Sequence, residues 1–135
     1  GCGNVGLEAL SRGAGFAGFV ESRKRLADAI RENLRLLEYE ARAEVVLADA
    51  GAGVRHFIRK GQRFDILFAD PPYDEGFVHR VVEWLKGGEL LTETGVAVLQ
   101  HSVRETPEGA LGERVALADQ RRYGDTMLSF LKIKE

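Results

Sequence analysis

The sequence predicts an α/β fold: a mostly parallel sheet with helices on both faces, closed by an antiparallel hairpin at the C-terminal end. Three observations lead there. Short apolar runs alternate with longer segments whose apolar residues recur every three or four positions. Three of the apolar runs lead into an acid, at Glu21, Asp49 and Asp70. The last two apolar runs follow one another with no helical segment between them, and a closing hairpin is common on such sheets.

Residues 4–12 (NVGLEALSR) read as a short helix stopped by Gly13. Residues 16–21 (FAGFVE) are a buried strand ending in Glu21. Ser22 is placed to cap a helix running to Tyr39, with Leu26, Ile30, Leu34 and Leu37 on one face. Residues 44–48 form the next strand, and 53–60 a weaker helix closed by Gly61. Residues 64–69 (FDILFA) are a strand leading straight into Asp70-Pro71-Pro72-Tyr73. Residues 75–86 are a helix with Phe77, Val81, Val82 and Leu85 on its apolar side. A strand at 95–100 precedes a polar loop, 102–112, that contains Pro107. Residues 113–119 and 126–133 are the two strands of the hairpin.

Length and composition bound the reading. With 135 residues the chain is expected to be one domain, 1–135, large enough to bury about two thirds of its surface. A formal charge of −2 advertises no global attraction to nucleic acid, so any such contact rests on a local basic face. The one cysteine, Cys2, excludes an internal disulfide and a cysteine-based zinc cluster, as suits a reducing cytoplasm. The three histidines show no ligand spacing, and no metal is expected. No apolar run is long enough to span a membrane. The chain opens inside a motif, which reads as a trimmed N-terminus.

That motif is GCGNVG, Gly1 to Gly6, which fits the glycine loop that joins a strand to a helix beneath a nucleotide. A dehydrogenase and a methyltransferase can both begin this way. In open α/β sheets the ligand lies at the carboxyl ends of the strands, so the three acids there are the residues to weigh. Glu21 can accept both hydroxyls of a ribose, or stand as a solvated acid before a helix. Asp49, followed by Ala50, can accept the exocyclic amine of an adenine, or cap the helix that follows. Asp70-Pro71-Pro72-Tyr73 is the more specific string. Two prolines after a buried strand cannot continue the ladder, so they set a rigid loop. Asp70 and the Pro71 carbonyl offer acceptors for both hydrogens of an exocyclic amine, and Tyr73 offers a ring to stack on a flat base. This is catalysis by positioning. The competing reading is a tight turn.

Taken together, Gly1-x-Gly3, Glu21, Asp49 and the Asp70 motif resemble the Rossmann-like methyltransferases that use S-adenosylmethionine, where this four-residue motif serves amino nitrogens. Residues 6–14 (GLEALSRGA), Tyr123-Gly124-Asp125-Thr126 and Leu128-Ser129-Phe130 narrow the resemblance to the bacterial family that methylates a guanine N2 in 16S ribosomal RNA. The resemblance implies a seven-stranded sheet whose first strand, with an acid near its end, precedes Gly1. It implies that Gly1 and Gly3 line the methionine part of the cofactor, Glu21 the ribose, and Asp49 with Ala50 the adenine. Asp70, Pro71, Pro72 and Tyr73 are then the target-base pocket and the catalytic set, with Asp70 also beside the cofactor. The partner is 16S rRNA or a small-subunit particle, the protein a cytoplasmic monomer. Cys2 stands where the resemblance implies a small hydroxyl residue or alanine, of similar size.

Three other readings stay open at this stage: an adenine-N6 methyltransferase, a nucleotide-dependent oxidoreductase and an RNA-binding relative without activity. Arg55, His56, Arg59, Lys60 and Arg63 read as the solvated face of a helix, with an RNA-facing patch of phosphate contacts as the other reading. Arg121 and Arg122 are the better basic pair for RNA. Trp84 reads as helix packing.

Overall fold

The structure, a computed structural model, describes residues 3–70 and 76–134. These residues form two compact units that divide between His56 and Phe57. The first unit holds helix α1 (Asn4–Ser11), strand β1 (Ala17–Glu21), helix α2 (Lys24–Leu36) and strand β2 (Ala43–Leu47). Helix α3 (Ala50–Arg59) spans the division. The second unit holds β3 (Phe64–Ala69), α4 (Phe77–Lys86), β4 (Leu91–Ser102), β5 (Val115–Tyr123) and β6 (Thr126–Ile133).

In the first unit β1 and β2 pair in parallel from Ala17 opposite Ala43 to Glu21 opposite Leu47. The spacing of Ala27, Ile30 and Leu34 along α2 turns all three to one side, and all three are buried. Ile30 and Leu34 join Leu10, Ala17 and Phe19 in one core, with Leu7, Ala14, Tyr39, Ala43 and Val45 packed around it. Each fully buried leucine, isoleucine or phenylalanine of this core contributes roughly 1.5–3 kcal/mol of transfer free energy.

In the second unit the strand order is β3-β4-β6-β5. β3 and β4 are parallel, while β6 runs antiparallel to both β4 and β5, so only β6 opposes the rest. Asp70, Ser102 and Tyr123 therefore end or follow three strands at one edge of this sheet. Ala97, Leu99 and Leu131 are fully buried on one face of the sheet, and α4, with Val78, Val81, Val82 and Leu85 buried, packs against β4 and β5. On the same buried face His101 Nδ1–H donates to the Ser102 carbonyl, at 2.8 Å. Its Nε2 lies 2.7 Å from Ser129 Oγ, which also accepts from Gln120 Nε2 at 2.9 Å. One polar chain thus ties β4, β6 and β5.

The α/β order, the parallel pairing of β1 with β2 and of β3 with β4, and the closing hairpin are as the sequence predicts, although the described strands form two sheets and not one. The boundaries differ in places. Arg23, not Ser22, stands at the N-cap of α2, with no side-chain cap bond. The same helix ends at Leu36, which leaves Leu37 half exposed instead of on the buried face, and Glu38 then takes a positive φ of 61°. α3 begins three residues before the expected start, because Asp49 caps it ahead of Gly51 and Gly53. β4 starts at Leu91, four residues early, since the parallel register with β3 opens at Phe64 opposite Leu91 and carries through an irregularity that the polar Thr92-Glu93-Thr94 hides. β5 likewise runs on through Tyr123, because the hairpin ladder holds its polar residues.

Candidate active site

The glycine loop feeds α1. Gly3 occupies the N-cap with φ 78°, a left-handed conformation that L side chains rarely adopt, and its carbonyl accepts the Leu7 N–H at 3.0 Å. Gly6 acts differently. A Cβ there would sit 2.3 Å from Phe19 Cε2, so the third glycine of the motif is what lets α1 approach β1. Gly1 lies outside the described residues.

Glu21 closes β1, and its side chain retains 10% of its surface. Its Oε2 accepts the Arg23 backbone N–H at 2.9 Å and faces Arg23 Nε at 3.4 Å. The backbone bond first, then the guanidinium, hold this carboxyl below the usual glutamate range against the opposing effect of burial. The group is therefore an ionised acceptor near neutral pH.

Asp49 lies two residues past the end of β2, at the same carboxyl edge of the two-stranded sheet as Glu21. The Ala48 N–H donates to the Glu21 carbonyl at 3.0 Å, fixing the two strand ends together. Asp49 Oδ1 accepts the Ala52 N–H at 2.8 Å, the bond of an N-cap. Ala50 is the first residue of the helix so capped. Capping and ligand binding are compatible here, because a carboxylate has a second oxygen. Gly53 on the next turn would place a Cβ 2.3 Å from Val20 Cγ1, so α3 too approaches β1 only through a glycine.

Gly3, Glu21, Asp49 and Ala50 thus gather in the first unit. Two carboxylates at neighbouring parallel strand ends are a donor-seeking set. Among the described residues no three His, Cys, Asp or Glu gather as metal ligands.

Asp70 belongs to the second unit and follows directly on β3. Pro71, Pro72 and Tyr73, the rest of its motif, lie outside the described residues. Sequence reasoning missed its partner. Gln100 in β4 donates from Nε2 to Asp70 Oδ1 at 3.4 Å. The parallel register, which sets Ala69 opposite Leu99, carries on to place Gln100 beside Asp70. The string Leu99-Gln100-His101 holds no signal of this until the strand order is known. His56 is also more than part of a solvated face. Its Nε2 lies 2.6 Å from Glu44 Oε2, joining α3 to β2.

Comparison with known proteins gives this geometry a context. Residues 1–132 match the sequence profile of the family described as conserved hypothetical protein 95. The Bacillus subtilis protein YlbH, provisionally named an rRNA methyltransferase, is 30% identical over 133 residues, which cover 98% of this chain and 71% of that protein. The Escherichia coli ribosomal RNA small subunit methyltransferase D is 29% identical over 103 residues, 76% of this chain and 50% of its own length. The chain thus spans about half of that relative. A solved Haemophilus influenzae protein, provisionally named a methylase, superposes with a TM-score of 0.80 at 25% identity, covering 100% of this chain and 83% of that one. A more distant methyltransferase fold, solved with S-adenosylhomocysteine, superposes at a TM-score of 0.72 and 15% identity over 92% of this chain and 40% of that one. The fold is that of the Rossmann-like methyltransferases.

Proposed function

The chain belongs to the conserved hypothetical protein 95 family, and we propose that it transfers a methyl group from S-adenosylmethionine to the exocyclic N2 amine of a guanine in 16S rRNA. One observation carries the reading. A carboxylate, Asp70, stands at the carboxyl end of a parallel strand, steadied by Gln100, where the sequence turns into Pro71-Pro72-Tyr73. The relatives named as small-subunit rRNA methyltransferases support the RNA substrate, and such a substrate sets the reaction in the bacterial cytoplasm.

In this reading Gly1 and Gly3 border the methionine part of the cofactor, Glu21 accepts the ribose hydroxyls, and Asp49 with Ala50 meets the adenine. When bound, S-adenosylmethionine supplies an electrophilic methyl on a sulfonium that departs as a neutral thioether. The residues act by placement, and the proton that the methylated nitrogen must shed has the Asp70 carboxylate beside it. Asp70 accepts one hydrogen of the guanine amine and the Pro71 carbonyl the other. These bonds hold the nitrogen lone pair on the methyl and offset the delocalisation that makes a guanine amine a poor base. Pro72 fixes the loop, and Tyr73 stacks on the base. Gln100 restrains one carboxylate oxygen of Asp70 and so helps to orient the other.

The test uses the full-length protein, labelled S-adenosylmethionine, and either naked 16S rRNA or particles lacking the modification, followed by nucleoside analysis. Label is expected in N2-methylguanosine. Asp70→Ala should cut turnover by about 100-fold or more, the scale on which a transition-state hydrogen-bond partner is lost, while cofactor affinity holds. Label in N6-methyladenosine would overturn the choice of base. An equal loss of cofactor binding in Asp70→Ala would overturn its assignment to the substrate.

A further inference from the structure

The basic pair Arg121-Arg122 is one feature in sequence and two in space. From Asp119 to Tyr123 the β5–β6 ladder is regular, with Arg121 opposite Leu128, Arg122 opposite Met127 and Tyr123 opposite Thr126. Across β6, Leu128 stands opposite Gln100 and Thr126 opposite Ser102 in β4. Residues directly opposite one another share a face, and neighbours along a strand alternate. Asp70, Gln100, Leu128 and Arg121 therefore form one row across the sheet, on one face. Tyr123 stands on that same face, one pleat nearer the carboxyl edge. Arg122 falls on the opposite face.

Two contacts fix this assignment independently of the pleat. Gln100 reaches Asp70, which puts that pair on the first face. Gln120 reaches Ser129 and through it His101, which puts Gln120, next to Arg121, on the buried face. Arg122 Nε is bonded to the Gly124 carbonyl at 2.8 Å, an arginine serving its own turn.

Tyr123 has 59% of its surface exposed, although it lies inside a paired strand. Arg121 meets Asp119 at 3.4 Å with both side chains more than half exposed, a pair of the kind that contributes little and exchanges readily for a better partner. An exposed aromatic ring beside an exposed cation is the combination with which proteins hold unpaired nucleic acid: the ring stacks on a base and the cation meets a phosphate. Three strand spacings separate Asp70 from Arg121, about 14 Å, a distance that a short run of nucleotides spans.

We propose that Tyr123 and Arg121 form a landing platform for the unpaired RNA strand that flanks the target guanine, Tyr123 by stacking on a flanking base and Arg121 by contacting its phosphate, with Arg122 taking no part. The inference rests on the RNA-methyltransferase reading above and adds to it which strand and which face guide the substrate.

The experiment measures binding of the full-length protein to naked 16S rRNA fragments carrying the methylated site, across a range of salt, beside thermal unfolding and cofactor affinity. Tyr123→Ala should weaken RNA binding about tenfold, and Tyr123→Trp should restore it, because base stacking on an aromatic is sequence-tolerant. Arg121→Ala should flatten the dependence of log affinity on log salt by about 0.7, the share of one phosphate on a single strand. Arg122→Ala should change neither. Unchanged affinity and slope in both Tyr123→Ala and Arg121→Ala, in a wild-type protein that methylates RNA, would sink the platform and leave the activity standing. A wild type that neither binds nor methylates RNA would sink the underlying reading instead. Equal losses for Arg121 and Arg122 would overturn the face assignment. Weaker binding to assembled particles with no change on naked RNA would overturn the choice of RNA in favour of a ribosomal protein.

Discussion

Asp49 shows how one carboxylate can hold two roles that substitutions can separate. Its Oδ1 caps α3 through the Ala52 N–H. If its other oxygen meets the adenine amine, asparagine and alanine will behave differently. Asp49→Asn keeps an oxygen for the cap and turns an amide NH2 toward a ligand that itself donates. Stability should then hold while cofactor affinity falls about tenfold or more, the scale of a hydrogen bond to a charged group. Asp49→Ala should lose both, with about 1 kcal/mol of stability going with the cap. Titration calorimetry beside chemical denaturation checks this, and an Asp49→Asn protein with wild-type cofactor affinity would reduce Asp49 to a cap. Glu21 differs in character. Its carboxyl is held low by Arg23, so whatever stability it contributes is complete above the ordinary value near 4.5 and fades as pH drops through the lowered one.

At the scale of elements, the helices of the first unit come close to β1 through glycines, and this makes a counter-intuitive prediction. Glycine to alanine inside a helix normally gains about 1 kcal/mol. At Gly53 the new methyl would lie 2.3 Å from Val20 Cγ1, and a β-branched side chain has little freedom to turn away. Gly53→Ala should therefore destabilise the protein by about 1–3 kcal/mol, as overpacked cores do. Val20→Ala in the same protein should recover part of that loss, giving a coupling between the two sites that denaturant midpoints can measure. A Gly53→Ala protein as stable as the wild type would mean that α3 can shift without cost. The glycine at position 6 was legible in the sequence as part of a loop motif. Gly53 was not, because its reason for being glycine lies in Val20, thirty-three residues earlier. The same holds elsewhere. β3 has the predicted bounds because Gly61 and Pro71 punctuate it locally. The start of β4, the extent of β5 and the Gln100–Asp70 contact depend on which strands pair, and local sequence carries no record of that. The acids at Glu21 and Asp49 were legible because strand-end position is local. The division of Arg121 from Arg122 needed the ladder.

At the scale of the whole chain, apart from Asp70, which the resemblance sets beside both ligands, the residues assigned to the cofactor and those assigned to the RNA fall in different units. Gly3, Glu21, Asp49 and Ala50 precede the division at His56, while Asp70, Gln100, Arg121 and Tyr123 follow it. Such a partition should be visible without any substitution. Hydrogen exchange slows where a ligand suppresses local opening. In the full-length protein, S-adenosylhomocysteine should protect the amides that frame its pocket: Leu7 on the glycine loop, Arg23 on Glu21 and Ala52 on Asp49. The β5–β6 hairpin should exchange at its unliganded rate. An RNA fragment added alone should do the reverse, slowing the turn around Tyr123 and the end of β4 while the glycine loop stays unchanged. Because each ligand stabilises only the state that binds it, the protection should set in near the dissociation constant measured by direct binding and then grow with the logarithm of ligand concentration. Protection of the hairpin by the nucleoside alone would mean that the two ligands compete for one set of residues, and the partition of roles along the chain would fall with it.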